Sequence, residues 1–457
     1  MNEQTLSTIR IGKLPAAFIC LAFLNFTVGA LLGVIMVLEP SAWGQYGSFH
    51  AELNPFGWLS MLIYGMTYAV LAIIAGLTLP WPVMGWLQLI VAEAGVVLIL
   101  GAAQMFSGSL LRYGLEFQAL SPLLFMVNIL STVFASRRKQ KQVSARDRAT
   151  DAAQRLANFV NHGTEISSGQ MFERFFGRPD FVKATDRVAQ KGTELALFCF
   201  LAAAVWALMP ALHDKANGFY AMPSASVLLS YYGWIAGTVL MVSLHLYPRY
   251  AGFRVIKAWQ AQIGQILWFV GLVASAFGMV GSPLIMQTGI QTIGVSFTWF
   301  ALFYLAKMRH ACKHTPAPST IAWWGSWIFA LILGVSLVFG LNPLSLPALH
   351  LLFLGWITSL VYGVGYTFFP IILGREPTSM RAATIQVWIA LVGAVFMSGG
   401  FYLLEKDSAM QSVARVLLAV GGCLAAFSFF VFLLLWIFGN KFETHDQISR
   451  FDQYSNV

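Results

Sequence analysis

Charge is scarce in this sequence. Asp, Glu, Lys and Arg make up 10% of the 457 residues, against about 25% in an ordinary soluble protein. A water-soluble globule of this size is thereby excluded. A hydrophobic content of 58% excludes disorder as well. Cysteine is also scarce: Cys20, Cys199 and Cys423 lie in apolar runs and Cys312 in a basic loop. Four such residues form no paired framework, and all read as free thiols. No Cys-x-x-Cys-His occurs, so the chain carries no c-type haem attachment motif. What remains is an all-α polytopic membrane protein.

A bilayer core about 30 Å thick needs roughly 20 apolar residues per helix. Twelve runs qualify, near 12–38, 52–78, 83–106, 117–136, 193–211, 224–248, 260–281, 284–306, 321–341, 346–372, 383–404 and 412–438. The first is too long, and begins too far in, to read as a cleaved signal peptide. An even number of spans places both termini on one side.

If that side is the cytoplasm, all but four of the 28 Lys and Arg fall on it. The exceptions are Arg112, Lys215, Lys406 and Arg415. This asymmetry predicts the orientation. It also accounts for the net charge of +9 without a nucleic-acid partner. The expected setting is a bacterial-type inner (cytoplasmic) membrane, with lipid as the surrounding partner. The organisation that follows is helices one to four in 1–136, a cytoplasmic loop in 137–191, helices five to twelve in 192–438 and a cytoplasmic tail in 439–457. The loop opens on Arg137-Arg138-Lys139-Gln140-Lys141. Its stretches Ala152 to Phe159 and Met171 to Phe181 mix apolar and charged residues. They read either as an amphipathic helix at the inner membrane surface or as a linker.

Three spans align without gaps. The second contains His50, Glu52, Gly57-Trp58, Tyr64 and Tyr68; the tenth contains Ala348, His350, Gly355-Trp356, Tyr362 and Tyr366. Tyr follows the Gly of each Gly-Trp pair at the same two offsets. The sixth span carries Gly233-Trp234, and its Pro248 matches Pro370 of the tenth. A further Gly, at Gly76, Gly252 and Gly374, completes the set. Helices two, six and ten are therefore equivalent, which predicts three four-helix units around a pseudo-threefold axis. An inverted-repeat transporter would pair helices between halves instead.

These features resemble the catalytic subunit of the haem-copper oxidase superfamily, closest to its cbb-type (C-family) branch and small relatives. The resemblance rests on His-x-x-Leu-Asn-x-x-Gly-Trp, on Tyr-Gly-x-x-Tyr, and on Tyr247-Pro248-Arg249 and Phe369-Pro370 at the inner ends. It covers most spans in topology, and helices two, six and ten in residue detail.

Of the eight histidines, those inside membrane spans are functional hypotheses by default. His162, His213 and His445 lie in hydrophilic segments. His310, Cys312 and His314 form a His-x-Cys-x-His cluster that reads either as a metal site lacking a fourth ligand or as a basic interfacial loop. His50 and His350 sit at the outer ends of equivalent spans, two residues apart in register, or about 3 Å along a helix. Two imidazoles at matched depth can hold one haem iron from both faces, which suits electron transfer. The bland alternative is a pair of interfacial histidines bonded to backbone or water.

The resemblance implies a low-spin haem b held by a helix-two histidine and by the second histidine of a helix-ten His-x-His pair. His50 and His350 match those two positions. The first histidine of that pair binds the high-spin haem in the family, and here it is Ala348. Helix six has Trp234 where a copper ligand is expected, and its one histidine, His245, lies at the inner end. Helix seven has none. A copper centre needs several imidazole or sulfur ligands, so the reading is one haem and no copper. Glu52 is a candidate bond to the second nitrogen of a ligand histidine. Lys406 and Arg415 are candidate partners for haem propionates. Glu93, in the middle of helix three, reads as a protonated acid bonded to a neighbouring helix or as part of a proton or ion path.

Three functions stand in order. The first is a haem-binding, oxidase-like subunit that passes electrons, with a cytochrome c-type or other redox subunit as partner and no oxygen-reducing site. The second is an active oxygen or nitric-oxide reductase, hence a respiratory-type oxidoreductase, with ligands supplied otherwise. The third is a transporter or assembly protein on the same scaffold without haem.

Overall fold

The computed structural model describes residues 12–73, 79–142, 183–213, 224–251, 255–311, 317–373, 375–406 and 408–441. These form twelve helices: α1 (Lys13–Leu38), α2 (42–73), α3 (Pro82–Met105), α4 (Gly108–Gln142), α5 (Lys183–His213), α6 (224–251), α7 (Ala258–Gly281), α8 (Pro283–Ala311), α9 (Ala317–Val338), α10 (346–373), α11 (Met380–Lys406) and α12 (Gln411–Ile437). Eleven are long and apolar enough to cross a bilayer. The protein is a multi-pass, all-helical membrane protein. Each span satisfies its own backbone, as a hydrocarbon medium requires. Large apolar side chains such as Ile90, Phe277, Leu284, Ile385 and Val416 point outward, where the lipid lies. Among the described residues, strand pairing is limited to one two-residue antiparallel bridge, Arg375–Glu376 against Asn440–Lys441. It ties the α10–α11 connection to the end of α12.

The sequence repeat is also a repeat of backbone geometry. α2, α6 and α10 each change from α- to π-helix, over Leu53–Ser60, Leu229–Ile235 and Leu351–Thr358. All three π segments begin four residues before the Gly of the Gly-Trp pair. A π turn spaces its hydrogen bonds one residue wider and leaves carbonyls to be satisfied by side chains. Ser60 Oγ donates to the Pro55 carbonyl at 3.0 Å and Thr358 Oγ1 to the Phe353 carbonyl at 2.7 Å. Trp58, Trp234 and Trp356 are all buried. Trp58 stacks on Phe26 of α1 at 3.7 Å, and Trp234 stacks on Phe200 of α5 at 4.5 Å.

These three helices form the interior. Trp234 Nε1 donates to Ser60 Oγ at 3.1 Å, joining α6 to α2. Tyr231 packs edge-on against Phe353 at 5.0 Å, joining α6 to α10. The remaining helices surround them, and α1 closes against α12 through Phe26 and Phe429 at 4.0 Å. Lateral packing uses small residues, as expected where lipid supplies no hydrophobic drive between helices. A Cβ on Gly271 of α7 would stand 2.8 Å from the Gly289 carbonyl of α8, and one on Gly393 of α11 would stand 3.1 Å from the Gly421 carbonyl of α12.

Several helices outrun the apolar runs that announce them. α2 begins at Ala42, not near 52, so His50 and Glu52 lie inside a continuous helix. α4 extends to Gln142 and α5 begins at Lys183, which narrows the hydrophilic connection expected over 137–191. The cause is common to all three: interfacial turns made of polar residues keep helical hydrogen bonds while contributing nothing to an apolar count. The expected amphipathic stretches, Ala152 to Phe159 and Met171 to Phe181, lie outside the described residues, as do Gly76, Gly252, Gly374, Cys312 and His314.

Candidate functional site

At one end of the bundle, α2 and α10 bring His50 and His350 together. Their rings are within electrostatic range of each other. Each ring has one nitrogen held by the protein. His350 Nδ1 donates to the Leu346 carbonyl at 2.8 Å, one turn back along α10. That bond places the proton on Nδ1 and leaves Nε2 as the lone-pair nitrogen. His50 Nε2 lies 3.2 Å from Asn54 Nδ2, which also donates to the His50 carbonyl at 2.9 Å. Because an amide nitrogen only donates, His50 Nε2 accepts, and the ring proton sits on the buried Nδ1, which faces the Gly29 backbone short of a full hydrogen bond.

The surroundings are shaped for the two rings. A Cβ on Gly33 of α1 would stand 3.3 Å from His50 Cε1. The His350 ring packs on Phe401 of α11 at 4.5 Å. Phe401, Met397 and Leu418 form a small apolar cluster against Val37, Trp43, Leu346 and Leu354. The site is therefore enclosed by α1, α2, α10, α11 and α12. An imidazole pair with an apolar surround is a donor set suited to one haem iron. The lone-pair Nε2 of His350 and the glycine beside the His50 ring are the features of this structure that fit such a group.

Glu52 lies elsewhere. It acts electrostatically on Tyr231 of α6, and one of its carboxylate oxygens is buried without a partner. The histidine bonds expected of it are taken by Asn54 and Leu346. Lys406 and Arg415 are exposed, at the end of α11 and the start of α12 on the same side of the bundle as the imidazole pair. Ala348 is fully buried, and Trp234 is buried with its Nε1 bonded to Ser60. At the opposite end of the bundle His245 pairs with Asp186 of α5, Nδ1 to Oδ1 at 2.9 Å. Cys20, Cys199 and Cys423 are free thiols.

Three residues in this geometry were not singled out by sequence. Asn54 follows His50 by four positions, which places both on one helix face, and that spacing was available to read. Asn25 is a polar residue within the apolar α1. It donates to the Gly57 carbonyl at 2.9 Å and to Glu93 Oε2 at 3.0 Å. Asp186 sat in what reads as loop. No protein-family model matches the chain, and no curated protein matches it at a significant level.

Proposed function

We propose that the chain is a haem-binding electron-transfer protein with the architecture of a haem-copper oxidase catalytic subunit. In this reading all twelve helices cross a bacterial-type inner membrane in a pseudo-threefold arrangement, with both termini in the cytoplasm. His50 and His350 hold a single low-spin haem b near the outer surface. The observation that carries the reading is the imidazole pair on α2 and α10, in which Leu346 leaves His350 Nε2 as a lone-pair nitrogen and Asn54 holds the His50 ring.

Bound there, the group would supply one-electron transfer with no open coordination position. The chain's own residues do the rest. Leu346 and Asn54 fix the two rings in orientation and proton position. Phe401, Met397 and Leu418 keep water from the inner side of the pair. Lys406 and Arg415 place positive charge at the outer rim, where anionic propionates or an acidic redox partner would meet it. Ala348 and Trp234 stand where an oxygen-reducing centre would need histidines, which disfavours a reductase activity.

The test is the visible spectrum of protein purified after haem-replete expression, with the haem-to-protein ratio. At most one low-spin haem b per chain and no stoichiometric copper are expected. His50→Ala and His350→Ala should each abolish the low-spin signal while the protein stays in the membrane, because each ring supplies one axial bond. Absence of haem, or a second haem that binds carbon monoxide, would overturn the assignment. In the first event a transport or assembly role on the same scaffold takes its place, favoured by the Asn25–Glu93 hydrogen bond inside the membrane.

A further inference from the structure

Glu93 stands on α3 between two environments. Ile90 and Val97, one turn to either side, are 63% and 59% exposed, and Trp86 and Leu87 continue that face. In a membrane span this face meets lipid. Glu93 itself is half-buried and lies at the margin of the face, because 3.6 residues per turn places it about 20° from Trp86 around the helix. On its inner side it accepts a hydrogen bond from Asn25 Nδ2 at 3.0 Å. Asn25, 4% exposed, donates from the same nitrogen to the Gly57 carbonyl in the π segment of α2. On α4, Gln118 donates to the Ala92 carbonyl, and Arg112 is bonded to Glu116. Among the described residues, Asn25 is the side chain whose hydrogen bond acts on the carboxyl.

A carboxylate in the hydrocarbon region is expensive unless something compensates its charge. A structural acid would face inward and be fully bonded. This one has a single amide donor on one side and the lipid phase on the other. We infer that Glu93 is a proton-binding site reached from the lipid phase, with Asn25 as the positioning residue that holds its carboxyl on the inner side and ties it to the π segment of α2. His50 lies seven residues, about 10 Å, from Gly57 along the same helix, so the site is separate from the imidazole pair and does not depend on what that pair binds.

The chemistry that detects such a group is reaction with a hydrophobic carbodiimide. The acid proton passes to a carbodiimide nitrogen, and the carboxylate oxygen adds to the central carbon. Migration of the acyl group to nitrogen then leaves a stable N-acylurea, with no leaving group. Dicyclohexylcarbodiimide applied to the full-length protein in lipid vesicles should modify Glu93, read by peptide mass spectrometry. A water-soluble carbodiimide should spare Glu93 while modifying the exposed Glu39. Glu93→Gln, a near-isosteric change, should abolish that modification. Asn25→Ala should raise the extent of labelling several-fold, because the carboxyl loses the donor that holds it inward, away from the lipid-borne reagent. An unmodified Glu93, equal labelling by both reagents, or no change in Asn25→Ala would each overturn the inference. Every readout is taken without haem, so it fails or stands separately from the spectrum of the outer site.

Discussion

Gly355→Ala tests whether the central helices are packed as described. Gly355 lies in the π segment of α10, and the methyl group would be placed against Phe329 of α9. Its Cβ would stand 2.6 Å from Phe329 Cδ1, 2.7 Å from Cγ and 3.1 Å from Cβ. Phe329 is 4% exposed, and contact reaches its own Cβ, so the ring cannot swing away. Overpacking of this kind costs about 1–3 kcal/mol, set against a helix-propensity gain for Ala of at most about 1 kcal/mol. A net loss near 1–2 kcal/mol is expected. Gly57→Ala should cost less, because its closest contact, at 2.8 Å, is the terminal Cδ1 of Leu53. Gly399→Ala on α11 meets nothing within 4 Å and should be neutral or stabilising.

A suitable assay follows heat-induced exposure of the buried Cys199 with a thiol-reactive fluorophore, after the other three cysteines are replaced by Ser. The midpoints should rank Gly399→Ala above Gly57→Ala above Gly355→Ala. In a Phe329→Ala background, which carries its own cavity cost of about 3–5 kcal/mol, Gly355→Ala should no longer lower the midpoint. Equal midpoints for Gly355→Ala and Gly399→Ala would refute the packing. So would a penalty that persists without Phe329.

The remaining predictions concern hydrogen-bonded polar pairs. His245→Ala should leave any haem spectrum unchanged, because the residue lies at the far membrane face, but should lower stability by about 1–3 kcal/mol through the loss of the Asp186 bond; a lost spectrum or an unchanged midpoint would count against it. Tyr366→Phe removes the donor to Gln386 Oε1 at 2.8 Å and should cost about 1–3 kcal/mol. Tyr68→Phe should cost more, since Tyr68 donates to Gln88 and accepts from Asn128. In thermal scans, combining Tyr366→Phe with Gln386→Leu should be milder than Tyr366→Phe alone, because no amide is then stranded.

The helices were legible because a bilayer span demands a long apolar run, and the runs are there. Their ends were not, as α2 illustrates: Gln45, Ser48, His50 and Glu52 belong to its first turns but read as a polar loop. The equivalence of α2, α6 and α10 could be read from the Gly-Trp offsets. The π geometry at those offsets could not, since widening a few hydrogen bonds leaves no mark on composition. His50 and His350 stood out by being histidines in spans. The groups that hold their rings are a backbone carbonyl and an amide one turn away. Glu93 was conspicuous on its own, while its tie to Asn25 spans 68 residues and required the packing of α1 against α2 and α3.

The repeat distributes scaffold evenly and chemistry unevenly. All three interior helices share the π segment and its buried tryptophan. The first and third units add a tyrosine bonded to a glutamine of their own third helix, Tyr68 to Gln88 and Tyr366 to Gln386. In the second unit the corresponding positions are Leu244 and Gly264. The outer positions follow the same division. Where the first unit has His50 and the third has His350, the second has Ser226, which donates to the Ala203 carbonyl, and Leu228, fully buried. A chain needing its three units only for packing would have no reason to sort polar groups this way, because each buried one must find a partner. The sorting places the imidazoles where α1, α2 and α10 to α12 converge, and leaves the matching positions of α6 to a hydroxyl and an apolar side chain. Functional change in this scaffold is therefore expected from substitutions in the first and third units, and stability change alone from substitutions in the second.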